Sequence, residues 1–151
     1  MSEERALAAL EAAGVDYEIT RHGKVGSLAE AAALRGVAPD RIVKTLVVRR
    51  SADDYVLVLV PGDRQIDWPK LRRHLGVSRL SLPPAEEAFA ATGYERGTIT
   101  PFGTTRRWPV IADSRVSGTI SLGAGAQGVA VTVDADRVID AVDAAVADVT
   151  A

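Results

Sequence analysis

A chain of 151 residues, 47% of them hydrophobic and only 5% aromatic, suits one compact domain whose core is built from Ala, Val, Leu and Ile. It has no cysteine and only two histidines, His22 and His74, which excludes disulfides and thiolate metal sites and argues against a zinc site rich in imidazole; composition leaves a carboxylate-bound magnesium open. A net charge of −2 argues against broad nonspecific binding to nucleic acid, which rests on many phosphate contacts, and leaves room for a small basic patch gripping one end of one.

Met1-Ser2-Glu3-Glu4-Arg5 is acidic and is followed by no apolar signal region, and no apolar run approaches the ~20 residues of a membrane span. A cytoplasmic protein with no membrane partner is expected. Arginine comes in doublets, Arg49-Arg50, Arg72-Arg73 and Arg106-Arg107, and a doublet by itself reads as a solvated surface feature.

Arg5 to Ala13 carries Leu7 and Leu10 at helical spacing and stops at Gly14. Val15 to Ile19 alternates apolar and polar residues as a strand does, and a loop runs from Arg21 to Gly26. Ser27 and Glu30 form a capping box for a short Ala-rich helix that Gly36 closes. After a turn at Pro39-Asp40, Ile42 to Arg49 reads as a strand, and Tyr55 to Val60 returns beside it as a hairpin. Asp67 caps a helix with Pro69 in its first turn and Gly76 at its end. Ser78 to Leu82 reads as a short strand, Ala85 to Thr92 as a helix, and Gly97 to Thr105 as a loop. Pro109 to Asp113, Thr119 to Leu122 and Val129 to Val133 read as strands. Asp134 then caps a last helix with Val138, Ile139, Val142 and Val146 on one stripe. Strands in the centre with scattered helices point to α+β with a mixed sheet.

Lys44 is the most informative residue. Its strand places it on one face with Ile42, Leu46 and Val48, and an ammonium there is costly to bury unless an anion compensates it. A carboxylate could do so, or a ligand that arrives later; the bland alternative is a lysine that snorkels out at the end of a sheet. Gly123-Ala124-Gly125-Ala126-Gln127-Gly128 matches the dinucleotide fingerprint letter for letter, but the β-branched run that follows is a strand and not the required helix. It reads as a hairpin whose glycines, Gly125 and Gly128 among them, allow a ligand close to backbone amides. In Gly97-Thr98-Ile99-Thr100-Pro101, Gly97 permits a positive φ and Pro101 stiffens the exit, so the loop can aim amides and the Thr98 and Thr100 hydroxyls at a carbonyl or a ribose. Arg106-Arg107 just beyond add a phosphate contact to that picture. His22, in a loop after a strand, reads on its own as a solvated residue.

Taken together, Arg41-Ile42-Val43-Lys44-Thr45-Leu46-Val47-Val48, Thr92-Gly93-Tyr94 and Gly97-Thr98-Ile99-Thr100-Pro101-Phe102-Gly103 resemble, in order and separation, the YbaK and bacterial prolyl-tRNA-synthetase editing-domain family of aminoacyl-tRNA deacylases. The likeness spans most of the chain. It implies a mixed sheet curled into a barrel-like core with flanking helices, and hydrolysis of the ester between a wrong amino acid and tRNA. By the same resemblance Lys44 is the essential lysine and Thr45 its neighbour in the site, Gly97 and Pro101 shape the amino-acid pocket, and His22 stands where many relatives carry a histidine. No metal and no cofactor are expected. A free-standing protein is implied, acting in trans on the acceptor end of an aminoacyl-tRNA, with a synthetase as a further partner. Some cysteine-type relatives carry a serine and an acidic residue around the glycine hairpin, where this chain has Gly123 and Ala130. Alanine, cysteine or another small residue on tRNA(Pro) therefore all stand as substrates. With no strong general base in view, Lys44 would act on position and charge, and water or a substrate group would attack. The alternatives are a nonenzymatic binder of a tRNA 3′ end or nucleotide and, more remotely, a Schiff-base enzyme using Lys44.

Overall fold

A computed structural model describes residues 2–151. The expected hairpin forms its centre: β2, Ile42–Ser51, pairs antiparallel with β3, Asp54–Pro61, placing Lys44 opposite Val60. Parallel to β2 but touching it only at Ile42 and Val43 runs β5, Thr119–Gly123, which turns back through the glycine hairpin into β6, Val129–Asp134. β1, Glu18–Arg21, lies antiparallel on β6. On the far side of β3, β4 (Val110–Asp113) and then β7 (Ala145–Ala147) add in parallel. The seven strands follow the order β1-β6-β5-β2-β3-β4-β7.

One face of β2 through β6 converges on a single apolar cluster, so the sheet curls around it. Val43 and Val47 of β2, Leu57 and Leu59 of β3 and Val129, Val131 and Val133 of β6 all contribute. Helices α1 (Ser2–Ala12), α4 (Ala85–Thr92) and α5 (Ala135–Val142) close that side with Leu10, Ala88 and Val138. The opposite face carries Val48, Val56, Val58 and Val60 against Leu71 of α3, Trp68–Leu75. A third, smaller cluster joins Ile42 to Ala31 and Ala32 of α2, Leu28–Arg35. This is the expected α+β architecture, a mixed, barrel-like sheet with flanking helices.

Local chemistry sets the ends of the helices. The Ser27 hydroxyl accepts from the Glu30 amide at 3.1 Å, the Asp67 carboxylate accepts from the Lys70 amide at 3.1 Å, and Gly36 and Gly76 leave their helices in the left-handed conformation. Three elements differ from expectation. The first strand starts at Glu18, because Val15 is drawn into the core by the bend after α1. Ser78–Leu82 makes only an isolated bridge, Arg49 to Ser81, since Pro83-Pro84 has no amide to extend a ladder. Val146 is not on the last helix: Asp143 turns left-handed at φ 53° and the chain leaves as β7, where Val146 pairs with Ala112. None of the helices is long and apolar enough to cross a membrane among the described residues.

Candidate active site

The short β2–β5 contact creates the site. Beyond Val43 the edge of β2 that faces β5 has no strand partner until Arg49 meets Ser81. Into this split opens a cavity of about 800 Å³, floored by Val43 to Val47 and walled by Leu82-Pro83-Pro84, Ala88 of α4, Gly97, Ile99 and Gly123. Its size is that of a small-molecule site, and most of its wall is apolar. Lys44, half-buried, reaches it with no ion pair or hydrogen bond to any described residue. The anion that an ammonium on this face requires is thus not supplied by the protein. Beside it Thr45 is buried, lines the same cavity, and has a hydroxyl without a partner. An unpaired buried hydroxyl is costly, and a ligand accepting or donating there relieves it.

Two further cations line the cavity, and no carboxylate does. Arg35, from the last turn of α2, donates from Nε to His22 Nε2 at 3.1 Å. With Nε2 accepting, His22 carries its proton on Nδ1, 2.8 Å from the Gly23 carbonyl. His22 therefore sits behind Arg35 and outside the cavity wall. Burial pushes the Arg35 guanidinium below its ordinary pKa, the mark of a charge held away from water. Arg96 donates to the Pro83 carbonyl at 2.9 Å and completes the basic rim. Sequence reasoning missed both arginines. A helix-ending Arg and an Arg before a glycine loop are common surface features, and only the fold turns these two toward Lys44.

The glycine loop is braced from behind. Gly97, at φ 89°, presents its backbone to the cavity. The Thr98 hydroxyl donates to the Glu95 carbonyl at 2.7 Å, and the Thr100 hydroxyl accepts from the Phe102 amide at 3.3 Å. Both hydroxyls hold the loop's shape and neither lines the cavity. Pro101 lies against a different cleft, near Ala9 of α1 and Ala141 of α5. The second glycine hairpin supports the first: the Gly125 amide donates to the Thr98 carbonyl at 3.0 Å, and the His22 amide donates to the Gly128 carbonyl at 2.9 Å. Of that hairpin only Gly123 reaches the cavity. Arg106 pairs with Asp53 at 3.0 Å and stacks on Trp108, and Arg107 lines two small clefts around Trp108; neither is at the cavity. The structure therefore gathers Lys44, Thr45 and Gly97, with His22 one step behind. It places Thr98, Thr100, Gly125 and Gly128 in the scaffold, and Pro101, Arg106 and Arg107 elsewhere.

Residues 22–141, the span holding every cavity residue, match the model of the aminoacyl-tRNA editing domain. The chain belongs to that family. The editing domain resembles part of the proline–tRNA ligase of Pelobacter propionicus, 32% identical over 100 residues, which are 66% of this chain and 17% of the ligase. It is 29% identical over 116 residues to the multifunctional Ser/Thr-tRNA deacylase ProXp-y of Escherichia coli (strain K12), covering 75% of this chain and 70% of that one. Among solved structures, the hypothetical protein APE2540 superposes with a TM-score of 0.86 at 27% identity, covering 97% of this chain and 99% of that one. A candidate trans-editing enzyme for prolyl-tRNA synthetase has the same fold, with a TM-score of 0.90 over 99% of this chain and 97% of that one at 24% identity.

Proposed function

We propose that this editing domain is a trans-acting deacylase that hydrolyses the ester joining a wrong amino acid to tRNA. The observation that carries the reading is Lys44: an unpartnered ammonium on the floor of a cavity that holds cations and no carboxylate. Such a lining suits a substrate whose recognised parts are a phosphate and a carbonyl developing negative charge. Arg35 and Arg96 hold the terminal phosphate. Lys44 faces the ester and stabilises the oxyanion formed when water, or a neighbouring substrate group, adds to the carbonyl. The bond from that carbon to the ribose oxygen then breaks, and the ribose hydroxyl leaves with a proton. Position and charge account for the rate, since the ester is already activated.

The substrate class is a small uncharged amino acid, Ala or Cys on tRNA(Pro) in the first instance, with Ser and Thr added by the name of the Escherichia coli relative. Apolar walls from Val43, Leu46, Val47 and Ile99 accept such side chains, and no carboxylate lines the cavity to pair a cationic one. The acceptor end of the tRNA is the partner, with prolyl-tRNA synthetase as the source of the mischarged substrate.

The test is deacylation of a panel of mischarged tRNAs, Ala-, Cys-, Ser- and Thr-tRNA among them, by the purified protein and by Lys44→Ala. Turnover by the parent and a loss of at least about 10²-fold in the variant, with unchanged circular dichroism, is the expected result. Equal rates in both would overturn this role for Lys44, and binding without turnover of any member would make the protein a nonenzymatic binder.

A further inference from the structure

Among the concave surfaces outside the cavity, one is lined by arginines. Arg49 and Arg50 of β2, Arg72 of α3 and Arg79 line a groove of about 440 Å³ together with Ser51, Ser78, Leu80 and Ser81. Two of the four arginines are engaged. Arg50 pairs with Asp54 at 2.8 Å, and Arg49 Nε lies 3.3 Å from the Glu87 carboxylate without hydrogen-bond geometry. Arg72 and Arg79 have no partner among the described residues. In a chain of net charge −2, a groove with four guanidinium groups and no carboxylate in its wall is a local exception.

The groove also lies next to the cavity along the chain. Both are built on β2, the cavity on Ile42 to Val47 and the groove on Arg49 to Ser51. They share one wall: residues 78–81 line the groove and 82–84 line the cavity, and the Arg49–Ser81 bridge, with N···O distances of 2.8 and 3.1 Å, pins that wall between them. From Lys44 to Arg50 a strand rises about 20 Å at ~3.3 Å per residue. A chain of phosphates leaving the cavity along β2 would meet the groove next, and planar guanidinium forks suit phosphate oxygens.

From this we propose that the Arg49–Arg50–Arg72–Arg79 groove is the docking surface for the phosphodiester backbone of the tRNA acceptor arm, with Arg72 and Arg79 making the contacts. The inference rests on the reading of the cavity as the ester site, and it moves the RNA-contacting arginines from Arg106-Arg107 to Arg72 and Arg79. Arg72 and Arg79 neutralise two phosphates and release their counterions. The groove grips the arm without reading bases, and residues 82–84 guide the single-stranded end toward Lys44.

The experiment compares the full chain with the double variant Arg72→Gln/Arg79→Gln. Binding of an uncharged tRNA(Pro) transcript is followed by fluorescence anisotropy between 50 and 200 mM salt. The double variant is expected to weaken binding about tenfold at low salt and to flatten the plot of log K against log[salt] by roughly 1.8, at ~0.9 per phosphate contact. It should hydrolyse a short aminoacylated CCA fragment, too short to reach the groove, at the parent's rate. Unchanged affinity and slope would overturn the proposal. So would a loss on the short fragment, which would place these arginines in the cavity chemistry. So would intact RNA binding with lost binding to prolyl-tRNA synthetase, which would make the groove a protein interface. If the parent binds tRNA through these arginines and hydrolyses no ester, the deacylase reading fails and the groove stands.

Discussion

Gly128 and Thr45 show what single side chains do here. Gly128 has φ 71°, and a Cβ added to it would run into the His22 carbonyl, so Gly128→Ala is both strained and crowded. The variant should lose about 1–3 kcal/mol of stability in urea unfolding. Gly123 has no positive φ, and the nearest atom to an added Cβ is the Ile99 carbonyl oxygen at 3.5 Å; Gly123→Ala should stay within about 0.5 kcal/mol of the parent. Thr45 is the converse case. Its hydroxyl is buried without a partner, so Thr45→Val should leave the unfolding free energy unchanged or raise it by up to about 1 kcal/mol. If that hydroxyl meets the substrate, the same variant raises KM about tenfold with little change in kcat. Steady-state deacylation kinetics separate the two effects, and an unchanged KM would remove Thr45 from the binding surface.

At the level of elements, ion pairs brace the chain just beyond the C-terminal strand. Asp148 lies 2.8 Å from Arg115 and 3.1 Å from Lys70 of α3. The hydrogen bond from Arg115, then that from Lys70, brings its carboxyl from the ordinary 3.8 down to about 2. Buried Asp113 accepts from the Val149 amide at 3.0 Å and ties the tail from the other side. Because the folded pKa of Asp148 is lowered, its contribution is fully present above pH ~4 and is lost as pH falls through about 2. Thermal midpoints of the parent and of Asp148→Asn should therefore differ at pH 6, and the difference should shrink steadily as pH falls from about 4 toward 2. A constant difference across that range would show that the pairing adds nothing ionic. Both residues of the pair are substantially exposed, so the gap should also narrow in high salt.

Across the whole molecule, the cavity draws on residues from Arg35 to Gly123, and every wall is set by a different element. A ligand that spans those walls should stabilise the fold as a unit. A non-hydrolysable aminoacyl-adenosine analogue at a hundred times its Kd is expected to raise the unfolding free energy by about 2.7 kcal/mol. At the same concentration Lys44→Ala should show a clearly smaller rise, followed by scanning calorimetry. An identical rise in both would mean that the ligand binds without Lys44.

Local signals carried much of this protein. The β-branched run around Lys44, the Ser27 and Asp67 caps, the glycine stops and the hairpin reading of Gly123 to Gly128 depend on neighbours a few residues apart, and each was legible because the physics is equally local. Lys44 stood out for the same reason: a charge among Ile42, Leu46 and Val48 is anomalous in any strand. Long-range contacts decided the rest. No pattern told that β5 would leave β2 after Val43, that Asp143 would turn left-handed and send Val146 into a strand, or that Ser78–Leu82 would form a wall with a single bridge. Nor did the identical look of the arginines tell which of them meet a carboxylate. Arg106 meets Asp53 across the fold, while Arg72 and Arg79 meet no carboxylate. Charge becomes function only where distant segments leave it unpaired, and that is a property of the tertiary structure.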